Sequence, residues 1–336
     1  MAVKLKDIRR QVVVITGASS GIGLTTARMA SRSGAKVVLA ARNEEALRNL
    51  ADEIHAGGGE ALAVPTDVSR EADVRNLAEQ AVNRFGGFDT WVNDAGVSIY
   101  GRLWDVPLVE QRRLFETNYW GVVHGSLVAL EHLRRKGGAV INLGSIVSDR
   151  AIPLQGAYVA SKHAIKGFTD TLRMEIEAAR LPVSVTLIKP GSIDTPFPHH
   201  ARNHLDAEPK LPPPVYAPET VARAILHCCA TAERELTVGG GGKAIAAAGR
   251  IAPRLTDLLM ENTMFSAQKT DRPPAGDGAD NLFRPGRDLE QRGGHPGYVF
   301  KTSAYTEAMM HPILTGAAVL GAAGLAVAAL WRAGRR

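Results

Sequence analysis

The chain has 336 residues, 45% hydrophobic and 22% charged, the balance of a globular protein with a sizeable core. Its net charge of +6 is spread thinly, with local clusters only at HLRRKGG (132–138) and the terminal RAGRR; no basic stripe interleaved with aromatics is present, which argues against nucleic-acid binding. The two cysteines, Cys228 and Cys229, are neighbours on an expected helix and do not face each other, so they read as small buried hydrophobes in a reducing compartment rather than a disulfide framework.

The start, MAVKLKDIRR, is charged and does not read as a signal peptide. QVVVIT (11–16) is a short apolar run closed by glycine, the pattern of a buried strand. A helical stretch, GIGLTTARMASRSG, follows and stops at Gly34. Next come KVVLAA (36–41), a helix through ALRNLADEIHAGGG, ALAVPTD (61–67), a helix near 71–85 and DTWVNDAG (89–96). A long helix near 108–135, AVINLGS (139–145), a helix over about 157–179, VSVTLIKPG (183–191) and ELTVGG from 235 complete the series. Strands alternate with helices, and most strands are apolar on both faces. That predicts an α/β fold with a doubly wound parallel sheet of about seven strands, covered by helices on both sides. Two segments break the alternation. Residues 192–218, rich in proline and histidine, read as a lid. Residues 269–297, rich in Pro, Gly and charge, read as a linker with little structure.

TGASSGIG (16–23) joins the first strand to the first helix, where backbone N–H groups can face a pyrophosphate. Gly17 suits the sharp turn, Gly21 a close approach to phosphates and Gly23 close packing of helix on sheet. The spacing is G-x-x-x-G-x-G rather than G-x-G-x-x-G, so alone the motif is also compatible with a plain tight turn. The end of the second strand adds weight. An NAD site places an acidic residue there, roughly 20 residues past the glycines. This chain has Ala41 followed by Arg42, and a guanidinium suits a 2′-phosphate. NADP(H) is therefore favoured over NAD(H).

TGASSGIG, Asp67-Val68, NDAG (93–96), Asn118 in TNYWG, Ser145 in NLGS, YVASK (158–162) and Pro190-Gly191 together resemble the short-chain dehydrogenase/reductase family, in order and spacing, over about residues 8–240. One departure is Asp94, where the family carries asparagine; it places local sheet hydrogen bonding in question. The resemblance implies a Rossmann-like fold and a catalytic tetrad of Asn118, Ser145, Tyr158 and Lys162. It also implies cofactor contacts from Gly17, Ser19, Ser20, Gly21, Ile22 and Gly23, from Asp67 and Val68, and from Asn93, Ala95 and Gly96. Pro190, Gly191, Ile193 and Thr195 would surround the nicotinamide, and Tyr158 and Lys162 would reach the cofactor too. No metal is expected.

The residues give the chemistry a size. Tyr158 and Lys162 at i, i+4 share a helix face. Lowering a phenol from about 10 to about 7 needs roughly 4 kcal/mol. An ammonium about 4 Å away at an effective dielectric near 20 supplies roughly that much. Tyr158 would then act as general acid on a carbonyl oxygen, Ser145 would stabilise that oxygen, and Asn118 would hold a water beside Lys162, the last role implied by the resemblance. Apolar residues in three loops (Ile99, Tyr100, Leu103, Trp104; Ile146, Val147, Ile152, Leu154; Phe197) point to a small hydrophobic carbonyl or alcohol, or else pack under the lid. A non-catalytic dinucleotide sensor or scaffold is the alternative, and an epimerase or dehydratase would need a larger substrate domain.

The expected organisation is a catalytic domain over 1–250, a helical and linker extension over 251–310 and an apolar helix with a basic end over 311–336. The family pairs subunits through the helices near 108–135 and 157–179, so a homo-oligomer is expected. PILTGAAVLGAAGLAVAALW (312–331) has about the 20 apolar residues that span a bilayer. Its seven Ile, Leu and Val residues sum to roughly −3 kcal/mol, a marginal insertion. The catalytic domain is expected in the cytoplasm and membrane-associated through this segment, which could span the membrane, lie at its interface or pack on protein.

Overall fold

The computed structural model describes residues 3–274, 280–286, 289–313, 315 and 316. Its centre is a seven-stranded parallel sheet. Strand β1 (Val12–Thr16) is buried on both faces: Val13 and Ile15 face one core cluster, and Val12 and Val14 the other. It leads through the glycine turn into helix α1 (Gly21–Arg32). Then follow β2 (Lys36–Ala41), α2 (Glu44–Ala56), β3 (Ala61–Pro65), α3 (Glu71–Phe85) and β4 (Thr90–Asn93). Asn43 caps α2 by accepting from Ala46 N–H at 3.0 Å, and the helix buries Leu47, Leu50, Ala51 and Ile54, an i, i+3, i+4 stripe.

The long helix expected near 108–135 is α4 (Leu108–Phe115), a π turn (Glu116–Trp120) and α5 (Gly121–Lys136) in sequence. The π turn carries Asn118, an element often found at functional sites. Strand β5 (Gly138–Leu143), helix α6 (Gly156–Ala178), strand β6 (Val183–Pro190), helix α7 (Pro218–Ala230) and strand β7 (Glu235–Val238) complete the sheet. Its order is β7-β6-β5-β4-β1-β2-β3. β1 and β4 run parallel, but the strands that follow β1 are added first on one side of it and then on the other, and this switch opens a crevice at the carboxyl ends of β1 and β4. Helices α1, α2 and α7 cover one face, through Leu24, Leu47 and Ile225. Helices α3, α5 and α6 cover the other, through Leu77, Leu133 and Leu172. Each such side chain contributes about 1.5–3 kcal/mol on burial. Cys228 and Cys229 are free and buried in the first cluster, where burial pushes the Cys229 thiol up to about 12.

Beyond the sheet lie α8 (Gly240–Ile251), α9 (Pro253–Ala267) and α10 (Ala304–Met310). Helix α10 docks on β7, where Thr306 Oγ1 donates to Thr237 O at 3.1 Å and accepts from Gly239 N–H at 3.2 Å. The 192–218 segment holds three two-residue strands; Val215–Tyr216 pairs with Ser192–Ile193 on one side and Val299–Phe300 on the other. The linker expectation for 269–297 needs correcting. Leu282 is fully buried with Leu114 and Ala157, and residues 280–286 and 289–295 bond to the sheet end and the lid. Main-chain hydrogen bonds, rather than an apolar periodicity, hold this segment, so composition alone did not reveal it. Among the described residues no helix is long and apolar enough to cross a membrane. Most of the apolar segment 312–331 lies outside the described residues.

Candidate active site

The site forms where β1, β4, β5 and β6 end. In the sheet register Thr16 sits beside Asn93, and Asn93 beside Asn142. Thr16 Oγ1 accepts from Asp94 N–H at 3.1 Å and Ala95 N–H at 3.2 Å, which bends the chain after β4 over the glycine turn. Gly17 adopts φ +73°, and a Cβ there would come within 2.9 Å of the Ala95 main chain. A Cβ on Gly23 would lie 2.2 Å from Gly17 O, so this glycine lets α1 begin directly behind the turn. Ser20 stands at the N-cap of α1 without a side-chain capping bond, and the first turn holds no acidic residue.

The turn opens into a cavity of about 330 Å³ that continues past the ends of β5 and β6. Every residue expected at the site lines it except Gly23, Asn93 and Asn118. These three stand behind the wall. Asn93 is 3% exposed, and its amide is consumed by Trp91, Ser126 and Asn142 at 2.8–3.2 Å. The Asn93 amide is therefore spent inside the β4–β5–α5 junction, and a cofactor contact of this residue would have to come from its main chain. Asn118 is clamped to Val97, accepting from its N–H at 2.8 Å and donating to its C=O at 3.0 Å. It also donates to Ser161 Oγ at 3.2 Å, which in turn donates to Tyr158 O at 2.7 Å.

Ser145 caps a short 3₁₀ turn and donates to Pro190 O at 3.5 Å. Tyr158 packs against Phe197, with ring centroids 5.4 Å apart. Lys162 Nζ lies 5.6 Å from the Tyr158 ring centroid and donates to Leu143 O at 2.7 Å. Burial dominates the electrostatics here. It raises Tyr158 above the usual phenol range, against a Ser145 hydrogen bond that pulls the other way, and the Asp94 charge adds to the rise. Lys162 is lowered to about 8 by burial, opposed by Asp94. Asp94 is raised to about 7 by burial, opposed by Lys162 and by the Gly23 N–H. Lysine alone thus does not bring the phenol down in this geometry, in contrast to the estimate from spacing: the ammonium addresses the ring and the Leu143 carbonyl. The extra carboxylate at position 94 turns to the start of α1 and leaves the sheet bonds of Asn93 intact.

At the adenosine end, Asp67 is desolvated, yet Ser69 and Arg113 outweigh that and hold its carboxyl below the usual range. Arg113 donates to Asp67 Oδ2 at 2.8 Å and to Ser69 Oγ at 2.7 Å. Arg42 lines the cleft as the first residue after β2. An N-terminal helix turn without an acidic cap, a hydrogen-bonding carboxylate and a guanidinium in one cleft fit the phosphates, adenine and ribose of a dinucleotide.

At the substrate end, Tyr100, Ile146, Val147, Ile152 and Phe197 line the cavity as expected from the apolar loops. Ile99, Leu103, Trp104 and Leu154 do not: Ile99 and Leu154 are buried in small core clusters, and Leu103 and Trp104 are 57% and 78% exposed. In their place Ile245, Met260 and Met264 enter from α8 and α9. The i, i+4 spacing of the two methionines was the available sequence signal.

The chain matches the model of the short chain dehydrogenase family over residues 11–206. It is 46% identical over 328 residues to the uncharacterized oxidoreductase YxnA of Bacillus subtilis, covering 97% of this chain and 92% of the relative. It is 31% identical to 11-beta-hydroxysteroid dehydrogenase A of Arachis hypogaea, covering 83% and 85% of the two chains. Similar solved structures include an alcohol dehydrogenase from Thermococcus sibiricus complexed with 5-hydroxy-NADP, at TM-score 0.60, 30% identity and 68% and 95% coverage. A short chain dehydrogenase/reductase from Burkholderia phymatum in complex with NAD matches at TM-score 0.63, 27% identity and 80% and 99% coverage.

Proposed function

The chain belongs to the short-chain dehydrogenase family and is an oxidoreductase, and from that premise we propose that it interconverts an apolar carbonyl and its alcohol, using NADP(H) and running toward reduction. One observation carries the reading: Ser145, Tyr158 and Lys162 share one cavity with the glycine turn and Arg42. The glycine turn and α1 would hold the pyrophosphate, Arg42 a 2′-phosphate and Asp67 the adenine. When bound, the nicotinamide supplies or accepts the hydride. Tyr158 gives its proton to the substrate oxygen as general acid. Its raised pKa keeps that proton in place until charge develops on the oxygen. Ser145 donates to the same oxygen. Lys162, beside the Tyr158 ring, is placed to help restore the proton that Tyr158 has given up, and its lowered pKa suits it to relaying that proton from bulk water. Asn118 fixes the 97–98 strand entry and, through Ser161, the turn that carries Tyr158; a water held beside Lys162 remains its expected role.

The apolar walls of Ile146, Phe197, Met260 and Met264 support a hydrophobic substrate, and the name of the Arachis relative points to a rigid one such as a steroid. We read the chain as a catalytic unit over 1–250 with an extension over 251–310 that closes its substrate end. We further propose a homo-oligomer. Trp120 and Leu127, at 44% and 45% exposure, supply an apolar strip on the α4–α5 helix, whereas Leu114 turns inward. Membrane association of this cytoplasmic unit through 312–331 rests on the sequence of that segment. The test of function is oxidation of NADPH and NADH against a panel of ketones and aldehydes of increasing apolar size, with and without detergent. Consumption that rises with apolar size and favours NADPH is the expected result.

A further inference from the structure

The segment after α9 crosses the mouth of the dinucleotide cleft, and its main chain engages groups that an anion needs. Arg42 Nη2 donates to the carbonyls of Asn281 and, at 3.2 Å, Arg284, while Nη1 donates to Leu282 O at 3.4 Å. Asn43 Nδ2 donates to Gly286 O at 3.1 Å. Gly21 N–H, at the start of α1, donates to Glu290 O at 3.0 Å, and Leu289 N–H donates to Ser19 O at 2.7 Å. Asn281, Pro285 and Gly286 line the same cavity as the glycine turn.

Both ends of this strap are anchored to the lid side of the cleft. Leu282 is fully buried, Asn281 N–H donates to His200 O at 2.9 Å and Asp280 pairs with Arg202 at 3.0 Å. At the other end, Glu219 accepts from Gln291 at 2.8 Å and Arg292 at 2.7 Å, and Asp194 accepts from His295 N–H at 3.0 Å.

We infer that this strap, residues 280–286 and 289–295, sets cofactor preference by competing with a 2′-phosphate for Arg42; the inference rests on the reading of Arg42 given above. Three carbonyl oxygens converge on one guanidinium. A phosphate dianion brought to the same guanidinium meets their partial negative charge and needs the same N–H donors, so it displaces them. A 2′-hydroxyl is neutral and can itself donate to a carbonyl, so it leaves the strap's contacts on Arg42 in place. The pyrophosphate of either nucleotide displaces Glu290 O from Gly21 N–H, but only NADP(H) must also displace the carbonyls on Arg42, so NADP(H) binding is the more strongly coupled to strap opening. Because the strap is tied to Asp194, His200 and Arg202, its release also loosens the lid.

The test uses the full chain without substrate. Nucleotide Kd values are measured by fluorescence for wild type, Leu282→Ala, Glu219→Gln and Arg42→Ala, and limited proteolysis reads cleavage within 280–295. Loosening the strap should tighten NADPH binding about five- to tenfold more than it tightens NADH. At equal saturation NADPH should speed cleavage of the wild-type strap more than NADH does. Arg42→Ala should bring NADPH affinity down to that of NADH. If Arg42→Ala leaves the ratio of the two unchanged, the reading of Arg42 fails and the strap's role with it. If Arg42→Ala behaves as expected while the strap variants weaken both nucleotides, tighten the two equally or leave NADPH unchanged, competition is overturned. Glu219→Gln lies outside the core, so it decides the matter should Leu282→Ala not fold.

Discussion

Tyr158 and Lys162 share a cavity wall, yet burial pulls them in opposite directions, one above its usual range and the other down to about 8. A tyrosine that keeps its proton until a substrate oxygen demands it is suited to act as an acid. Tyr158→Phe should therefore lower kcat by about 10²–10⁴-fold while NADPH affinity stays within about threefold, measured by turnover and fluorescence titration. Asp94 makes a separate claim. Its pKa is raised to about 7, so the folded state favours the protonated acid. The sign follows: its contribution to stability is fully present below about 4, its unfolded value, and is lost as pH rises through about 7. Asp94→Asn should therefore be the more stable protein above pH 7, by about 1–3 kcal/mol, with the gap closing toward pH 4. Thermal unfolding across that range reads it, and a variant less stable at pH 8 would show that the carboxylate is compensated. Arg42 governs the third residue-scale outcome. Ala41→Asp with Arg42→Ser should move the NADPH-to-NADH ratio of kcat/KM toward NADH by about tenfold or more.

The elements differ in how openly the sequence shows them. Strands such as VVVIT, apolar on both faces, and helices such as α2, with its spaced leucines, are legible because one periodicity decides each of them. The glycine turn and Arg42 are legible because they follow strand ends, whereas Ser145, Tyr158 and Lys162 are legible through the family resemblance of the motifs that carry them. What is not legible depends on tertiary contact. Asn93 reads as a cofactor contact, and only the approach of α5 shows its amide spent on Ser126 and Asn142. That approach depends on Gly125, where a Cβ would lie 2.0 Å from Asn93 Oδ1 and 2.7 Å from Trp91 Nε1. Gly125→Ala should cost about 2–4 kcal/mol, seen as a lower urea midpoint at unchanged slope, because overpacking also breaks a buried hydrogen-bond network. Helix α9 is legible as a helix, but not as a pocket wall. Met260→Ala should raise KM for bulky apolar substrates several-fold and leave NADPH Kd unaltered. An equal effect on both would move Met260 out of the substrate end.

At the scale of the whole molecule, the chain after β7 is more than an appendage. Helices α8 and α9 close the substrate end, residues 280–286 and 289–295 close the cofactor end and α10 seals β7, with Met310 only 6% exposed. Deletions meant to probe the apolar segment must therefore begin after His311. A chain ending there should keep its thermal unfolding profile and move from the membrane fraction to the soluble one; full-length protein already soluble without detergent would remove the membrane reading. The central claim is that one cleft couples nicotinamide chemistry to proton transfer from Tyr158, and it is tested most directly by parallel titrations of wild type and Tyr158→Phe. Each protein is given NADPH and an apolar ketone, while binding and single-turnover oxidation of the nucleotide are followed in the same cuvette. The account predicts that both proteins bind NADPH alike and that only wild type consumes it at an appreciable rate. Equal consumption by the two, or binding without consumption by wild type across the whole carbonyl panel, would contradict it.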